Sequence, residues 1–408
     1  MSKISSRESL GVLAAGAWGT AKPAPVTDDK PPVWVDDILA AYHPSLKREF
    51  DEFVKVYNKT YEVKVLGPTT IFSGIQVDRD RQNKTVKLHQ TIYRTSLEEK
   101  FGKFIVPGTP NTTPVSYVRA TSDARHFENI SFAADDDERK KMKEFPYMSL
   151  YASLLFTMCM TCPDIAFALA GLGRYIGDPS LAAWAALIQV LAYVVKHKSD
   201  GLTFGGPISA PSFFNDAAEY RRSPSIWITA FVANLGLYVV SDASWKVNHT
   251  YAGFVVMFVN AAVDWASKLV KVICHSSMES EIASGCFAGK RYMLIRSLVN
   301  EICSMCKVTQ AMITQIRGPI IFCIDNSATK DHTQDEGVKA KTEHFLRWQH
   351  YLRWLVSHGY AVVFWVATKN QPVDFMTKPV DLTTFLRGRA IVVNIPYKHA
   401  CYIVLDNA

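Results

Sequence analysis

Four acidic residues in the C-terminal half of the chain stand where their side chains could do chemistry. Asp242 and Asp325 each follow a short run of apolar residues, as expected at the end of a buried strand. A carboxylate in such a place costs free energy unless it is paired or bound to a metal. We expect Glu281 in the first turns of a long helix and Asp374 at the start of the last helix. All four could then meet at one edge of a sheet.

Converging carboxylates repel one another, and a cation relieves the repulsion. Four hard oxygen ligands without a nearby Cys or His favour magnesium or manganese over zinc. Taken singly, each acid also fits a structural role. Asp325 with Asn326 could form a turn or cap a helix, and Asp374 could be the negative charge at a helix N-terminus. The metal interpretation therefore depends on all four acids fitting one arrangement.

The elements around the acids predict an α/β domain at residues 232–396. Three consecutive strands are followed by a helix, a strand, a helix, a strand and a last helix. Such an order implies a mixed five-stranded sheet with helices packed on its faces. The predicted strands cover residues 235–241, 251–259, 262–273, Ile320–Ile324 and 360–366, and the predicted helices cover residues 276–303, 342–357 and 373–386.

The rest of the chain divides by composition into five parts. Residues 1–33 are predicted to be a flexible tail. Residues 34–107 contain strand-like pieces at 61–65, 70–77 and 85–88, residues 108–145 have the polar composition of a linker, and residues 146–206 have helical periodicity. Residues 207–224 are predicted to be a loop-like junction.

The bulk composition is that of an ordered globular protein, with 48% hydrophobic and 20% charged residues among 408. This length predicts two or three domains. The apolar runs are shorter than the ~18 residues of a membrane span, so no membrane partner is expected. Net charge is +7, and residues 232–396 hold 17 Lys and Arg against 12 Asp and Glu. This excess favours residues 232–396 as the docking surface for a polyanion.

Two pairs of cysteines have the C-x-x-C spacing that can bind zinc. Cys159 and Cys162 form one pair, and Cys303 and Cys306 form the other. Both pairs lie in apolar, helix-like stretches without the turn glycines of a zinc knuckle. Free thiols in a reducing compartment are the favoured interpretation.

The motifs around the four acids resemble the polyprotein of copia-type retrotransposons, from the end of the reverse transcriptase palm through ribonuclease H. Residues 241–245 (SDASW) resemble S-D-A-D-W, and residues 265–281 align with W-S-S-K…S-S-T-E-A-E without a gap. Residues 325–326 match the D-N of D-N-x-x-A, and residues 371–379 (QPVDFMTKP) resemble Q-x-A-D-x-x-T-K-P. His344, His350 and Arg353 keep the spacing of K-H-I-D…H-F-x-R-E. The resemblance extends upstream as well and covers roughly residues 34–393.

The resemblance implies a ribonuclease H-like fold, preceded by a truncated palm, thumb and connection region of a reverse transcriptase. It implies that Asp242, Glu281, Asp325 and Asp374 bind two Mg²⁺ or Mn²⁺ ions and hydrolyse the RNA of an RNA–DNA hybrid. Asp242 would contact both ions, Glu281 and Asp325 the leaving-group side, and Asp374 the water side. It also implies an intracellular protein, in the cytoplasm within a virus-like particle or in the nucleus.

Further residues are candidates for binding the hybrid. Contacts to 2′-hydroxyl groups would distinguish RNA from DNA, and basic side chains would contact phosphates, although each could equally be a solvated surface charge. The hydroxyl-contact candidates are Ser276, Ser277 and Asn326, and the phosphate-contact candidates are Lys268, His344, Arg353 and Lys378.

Glu279 and Glu281 are predicted to differ in role. Residues 276–279 have the S-x-x-E form of a capping box, in which Ser276 caps the helix and Glu279 accepts from the backbone N–H of Ser276. Glu281 lies about 200° further around a helix of 3.6 residues per turn. The two carboxylates are therefore not expected to face one site, and the resemblance places the metal ligand at Glu281.

Polymerase activity is not expected from this chain alone. Asp36 and Asp37 lie in a segment (WVDD) that resembles the Y-V-D-D polymerase motif, but a polymerase also needs a third palm aspartate and a fingers subdomain upstream. We interpret the two aspartates as vestigial. Cys162, Ala183 and Ala192 stand where the family has Arg, His and Arg, which predicts weaker phosphate contact or decay of an inactive element.

Two alternatives remain open at this point. The chain could be a non-catalytic nucleic-acid-binding fragment of a decayed or co-opted element. It could also belong to an intact reverse transcriptase whose upstream half is missing from the sequence.

Overall fold

A computed structural model of the chain describes residues 12–13, 39–40, 47–59, 65, 67–115, 130–245, 250–305, 318–334 and 346–395. Two short strands, β1 (Val12–Leu13) and β2 (Leu39–Ala40), form an antiparallel pair. The predicted strand at residues 61–65 lies almost wholly outside the described residues. So do residues 34–38, which include Asp36 and Asp37.

An antiparallel four-stranded sheet joins two distant parts of the sequence. Its strands are β3 (Ile71–Phe72), β4 (Ile75–Asp80), β5 (Thr85–His89) and β6 (Gly201–Gly205), in that order. The strand predicted over 70–77 is in fact the hairpin of β3 and β4, because Ser73 and Gly74 both have positive φ, as a tight two-residue turn requires. β6 comes from the end of the segment predicted to be helical.

Eight α-helices lie upstream of residue 234 in the described part of the chain. Ser180 begins one of them by accepting a hydrogen bond from the N–H of Ala183 at 3.1 Å. The helices are α1 (Lys47–Asn58), α2 (Thr91–Phe101), α3 (Asp136–Met142), α4 (Tyr147–Thr161), α5 (Ala166–Leu172), α6 (Leu181–Lys196), α7 (Ala218–Arg222) and α8 (Pro224–Ala233). α3 lies within residues 108–145, which were predicted to be a linker.

The C-terminal part contains the predicted mixed five-stranded sheet. Its strands are β7 (Tyr238–Ser244), β8 (Tyr251–Phe258), β9 (Ala261–Leu269), β10 (Ile320–Ile324) and β11 (Ala361–Trp365), in the spatial order β11-β10-β7-β8-β9. β7, β8 and β9 run antiparallel, whereas β10 is parallel to both β7 and β11. The ends of β7 and β10 that carry Asp242 and Asp325 therefore lie side by side.

α9 (Ser277–Met305) and α11 (Leu346–Ser357) share a hydrophobic core with one face of this sheet. α10 (Ser327–Gln334) packs against both helices and against β10 and β11. Gly285 and Gly289, one turn apart, let α11 approach α9 closely. A Cβ at Gly289 would lie 2.6 Å from Leu355 Cδ1, and one at Gly285 would lie 3.1 Å from Leu352 Cδ1. Larger residues at these two positions would push the helices apart.

The other face of the sheet packs against the upstream part of the chain. Side chains of β7, β8, β10 and β11 share one hydrophobic core with α2, α4, α5 and α6. Across this contact, the rings of Phe167 and Tyr251 lie 5.1 Å apart, and Trp265 Nε1 donates to the carbonyl of Met158 at 3.1 Å. The segments that composition separates are therefore packed together.

The end of the chain differs from the single helix predicted over 373–386. Asp374–Met376 is one short 3-10 turn, and the last helix, α12 (Leu382–Val393), begins only after Pro379. Asp381 caps α12 by accepting from the N–H of Thr384 at 3.0 Å. In the part of the chain that the structure describes, every helix is too short or too polar to span a membrane.

Candidate metal centre

Three of the four predicted carboxylates meet at one edge of the five-stranded sheet. Asp242 belongs to β7, Asp325 follows β10, and Glu281 lies near the N-terminus of α9. One oxygen of each carboxylate lies within 4.8 Å of an oxygen of the other two. The convergence follows from topology, because β7 and β10 are parallel neighbours and α9 packs against β7 and β8.

Asp374 borders this cluster rather than completing it. It begins the 3-10 turn between β11 and α12, and it is 7% exposed. Its Oδ1 atom lies 3.1 Å from Lys378 Nζ. Burial and the charge of Asp242 raise the pKa of Asp374 to about 7. It therefore shares the electrostatic environment of the other three, although it does not open an α-helix as predicted.

The charges of the cluster destabilise one another. Burial, together with Asp242 and Asp325, raises the pKa of Glu281 well above its ordinary value. Burial and Asp242 raise the pKa of Asp325 to about 6. Glu281 Oε1 accepts from the N–H of Ala243 at 3.0 Å, whereas its buried Oε2 has no hydrogen-bond partner in the described part of the chain. A partnerless buried oxygen among like charges fits a cation, and the all-oxygen donor set fits Mg²⁺ or Mn²⁺.

Several neutral side chains hold the cluster in place. The hydroxyl of Thr377 donates to Asp242 Oδ2, and Ser284 Oγ donates to the carbonyl of Asp242 at 2.7 Å. Gln371 Nε2 donates to the carbonyl of Ser241 at 3.1 Å. Thr377 and Gln371 belong to the motif at 371–379, so the sequence contained a signal for them. Ser284 occupied an ordinary helical position and was missed.

The predicted capping box at the start of α9 is present with one change of partner. Ser276 Oγ accepts from the N–H of Glu279 at 3.3 Å, as predicted. Glu279 Oε2 accepts from the N–H of His275 at 2.6 Å, rather than from that of Ser276. Glu279 and Glu281 therefore have separate surroundings, one at the helix cap and one in the carboxylate cluster.

The remaining hydroxyl and amide candidates differ in availability. Ser277 is exposed at the start of α9. Asn326 Oδ1 accepts from the N–H of Thr329 at 2.9 Å and so caps α10, which is the structural role considered from the sequence. Ser276 is likewise engaged as a cap.

The basic candidates occupy unlike positions. Lys268 is exposed, with its Nζ 5.9 Å from the centre of the Phe287 ring. Arg353 Nε donates to the carbonyl of His332 at 2.8 Å, which joins α11 to α10. Lys378 points into the acidic site, where Asp242 and Asp374 raise its pKa although burial opposes them. His344 lies outside the described residues.

The cysteine prediction is tested for one pair only. Cys159 is exposed and Cys162 is buried, and both are free thiols. Cys162 Sγ donates to Asp164 Oδ1 at 3.0 Å. The side chains of Cys303 and Cys306 lie outside the described residues, so the zinc alternative stays a hypothesis.

Replacing Asp374 by asparagine is expected to stabilise the metal-free protein at neutral pH. A native pKa of about 7 against an ordinary 3.8 means that Asp374 adds stability below about pH 4 and loses it as pH rises to about 7. The advantage of Asp374→Asn should therefore be near zero at pH 4, grow up to pH 7 and stay constant above it. Urea unfolding in EDTA at several pH values measures this difference.

Asp381→Asn is a suitable control for that measurement, because it changes an exposed carboxylate outside the cluster. Hydrogen bonds from Thr384 hold the pKa of Asp381 below its ordinary value. The asparagine at this position should therefore be no advantage at pH 8. If the difference in free energy of unfolding between wild type and Asp374→Asn did not change with pH, the coupling of the four acids would be contradicted.

No protein-family model matches the chain. It is 24% identical over 330 residues to the retrovirus-related Pol polyprotein from transposon TNT 1-94 of Nicotiana tabacum, covering 80% of this chain and 22% of that one. It is 24% identical over 359 residues to the Pol polyprotein from transposon RE2 of Arabidopsis thaliana, covering 86% and 21%. A putative transposon Ty5-1 protein of Saccharomyces cerevisiae is 27% identical over 255 residues, covering 61% and 69%.

The predicted resemblance to retrotransposon polyproteins is thus confirmed over most of the chain. The chain spans about a fifth of the length of the first two relatives. Among solved structures, the N-terminal RNase H domain of rv2228c from Mycobacterium tuberculosis matches 33% of this chain and 86% of its own, with a TM-score of 0.23 and 11% identity. The foamy viral protease-reverse transcriptase in complex with RNA/DNA hybrid matches 86% and 37%, with a TM-score of 0.35 and 12% identity.

Proposed function

We propose that residues 232–396 form a retrotransposon-derived ribonuclease H that hydrolyses the RNA strand of an RNA–DNA hybrid. The observation that carries this proposal is the meeting of Asp242, Glu281 and Asp325 within 4.8 Å, with a buried Glu281 oxygen that lacks a donor among the described residues. Raised pKa values at Glu281, Asp325 and Asp374, beside Asp242 at one sheet edge, indicate a site built for a divalent cation. Similarity to Pol polyproteins favours a nucleic-acid substrate and an intracellular setting.

Each acid of the proposed site is assigned to one or both metal ions. Two divalent ions, when bound there, would activate a water molecule and stabilise the leaving oxygen of the phosphodiester. Asp242 lies among the other three and is proposed to serve both ions. Glu281 and Asp325 are proposed for the leaving-group side, and Asp374 for the water side.

Neighbouring side chains are proposed to prepare the site for substrate. Thr377 and Ser284 fix Asp242 by hydrogen bonds to its carboxylate and its carbonyl. Lys378 offsets part of the negative charge from its place beside Asp374. Ser277, exposed at the start of α9, is the best-placed candidate for a 2′-hydroxyl contact, and Lys268 is a candidate phosphate contact.

The full chain is expected to cut the labelled RNA of a hybrid in the presence of Mg²⁺ or Mn²⁺, and to spare double-stranded DNA. EDTA should stop the reaction, and Asp242→Asn should remove it. Gel analysis of end-labelled products measures both. Hybrid binding without cleavage, by folded protein and with either metal, would contradict the proposal and favour a non-catalytic nucleic-acid binder.

A further inference from the structure

The junction at residues 207–224, which precedes the five-stranded sheet, contacts the loop that follows β11 near the acidic site. Within it, Ser212–Asp216 forms a short 3-10 helix. Phe214 is fully buried, and its ring lies 5.5 Å from that of Tyr238 and 5.6 Å from that of Phe364. These contacts fix the junction against β7 and β11. Asp216, at the end of the 3-10 helix, is thereby held close to the loop that follows β11.

Asp216 holds this loop through one carboxylate oxygen. Its Oδ2 atom accepts from the N–H of Ala367 at 3.0 Å and from Asn370 Nδ2 at 2.8 Å. Ala367 immediately precedes the 3-10 turn Thr368–Asn370, and Asn370 is its last residue. Asp216 therefore accepts hydrogen bonds from the residue before the turn and from its last residue. These two hydrogen bonds set the position of the turn relative to the sheet.

The same turn presents a hydroxyl to the acidic site. Thr368 Oγ1 donates to Asp325 Oδ2 at 3.1 Å. A donor to one oxygen of a metal-binding carboxylate restricts its rotation and leaves the other oxygen directed at the ion. A chain of hydrogen bonds therefore runs from Asp216 through the turn and Thr368 to Asp325.

We infer that Asp216 is a positioning residue for the metal site: it fixes the turn from which Thr368 orients the carboxylate of Asp325. The inference rests on the proposed function, since it assigns Asp216 to the support of that site. Nothing in the residue pattern around Asp216 pointed to this role, because the junction has the composition of a loop. The acceptor oxygen is the important feature of Asp216, since both of its partners are neutral donors.

Removing the acceptor should weaken the site, and keeping it should not. Asp216→Ala loses both hydrogen bonds, and it is expected to weaken Mn²⁺ binding and slow cleavage by about 10-fold or more, as for other residues that orient metal ligands. Asp216→Asn keeps an oxygen in the same place and should restore both properties. Thr368→Val should reproduce the loss, and combining it with Asp216→Ala should add little, because both act through one chain of contacts.

The test is calorimetric titration of the full chain with Mn²⁺, without nucleic acid and well below the unfolding temperature, alongside cleavage rates. Glu219→Gln is the matched control, because Glu219 lies in the same junction but pairs with Lys330 of α10 at 2.6 Å. It should lower stability and leave Mn²⁺ affinity unchanged.

Two results would overturn the inference: Asp216→Ala binding Mn²⁺ as tightly as wild type, or Asp216→Asn losing as much affinity as Asp216→Ala. Wild type that binds no Mn²⁺ and cuts no hybrid would instead refute the proposed function itself. Hydrogen exchange of the Asn370 and Gln371 amides, which bond within the turn, reports the first link without metal. Their protection should fall in Asp216→Ala and persist in Asp216→Asn.

Discussion

Glu281→Gln is expected to abolish cleavage without loss of stability, whereas the same change at Glu279 should spare most of the rate. Glu281 has an oxygen without a donor among the described residues and like charges beside it. Glutamine keeps the acceptor for the N–H of Ala243 and removes the charge. Loss of groups that merely orient metal ligands costs about 10–100-fold. Loss of a ligand oxygen should therefore cost more than about 100-fold.

The free energy of unfolding should rise on substitution of Glu281 and fall on substitution of Glu279. Because the native pKa of Glu281 lies above its ordinary value, its ionisation destabilises the metal-free protein as pH rises. Glu281→Gln should therefore be about as stable as wild type at pH 4, below the ordinary pKa of a glutamate, and more stable at pH 8. Glu279→Ala removes the acceptor for the N–H of His275, and it should cost about 0.5–2 kcal/mol, as for other cap losses.

Thermal unfolding in EDTA and single-turnover cleavage rates, measured on the same preparations, separate the two glutamates. Glu279→Gln is the matched control for Glu281→Gln, since both remove one charge from α9. Cleavage that survives in Glu281→Gln and is lost in Glu279→Gln would show that the assignment of the two residues is reversed.

Arg389→Met is expected to cost the protein about 3–5 kcal/mol of stability, as when one partner of a buried ion pair is removed. Arg389 lies on α12 and is almost fully buried. Its Nε donates to Asp164 Oδ2 at 2.8 Å, and its Nη2 donates to Asp200 Oδ2 at 2.5 Å. Without the guanidinium, the buried Asp164 and the mostly buried Asp200 would lose this countercharge. A loss of this size is a large share of the roughly 5–15 kcal/mol that holds a typical domain together.

The pH dependence of this loss identifies its cause. Although burial opposes it, the Arg389 guanidinium holds the pKa of Asp164 below its ordinary value, and His197 and Arg389 do the same for Asp200. Acids with depressed native pKa values contribute stability above their unfolded pKa, near 4, and lose it as pH falls further. The deficit of Arg389→Met should therefore shrink below about pH 4.

Urea unfolding at pH 7 and pH 3 measures this deficit. Arg139→Met is the matched control, because Arg139 pairs with Asp178 at 3.1 Å on the exposed surface and should matter little. Adding Asp164→Asn and Asp200→Asn to Arg389→Met should recover part of the stability, since no unpaired buried charge then remains. Equal losses for the two arginine variants would contradict the role of burial.

The ion pairs of Arg389 connect the last helix to the upstream part of the chain. Asp164 and Asp200 belong to the upstream part, whereas Arg389 belongs to the last helix. The proposed nuclease therefore has its closing helix tied to segments that composition places in another block. Residues 232–396 expressed alone would expose the core face that packs on α4, α5 and α6.

The elements whose signals are local could be predicted from the amino-acid sequence. β10 was predicted with its observed bounds, and α9 was predicted to begin within one residue of Ser277. The three antiparallel strands and the capping box were also predicted, because strand periodicity and cap chemistry involve residues close together in the chain. Convergence of Asp242, Glu281 and Asp325 followed from this element order and from motif resemblance.

Which distant side chains meet depends on how the elements pack, and it could not be predicted from the sequence. Lys378 was predicted to contact phosphate because it is basic. In the structure its side chain lies beside the carboxylate of Asp374, in the acidic site. Asp216 reaches the loop at Ala367 across 151 positions, and Arg389 reaches Asp164 across 225. Such contacts depend on how whole elements pack, and periodicity within a short window carries no information about that packing.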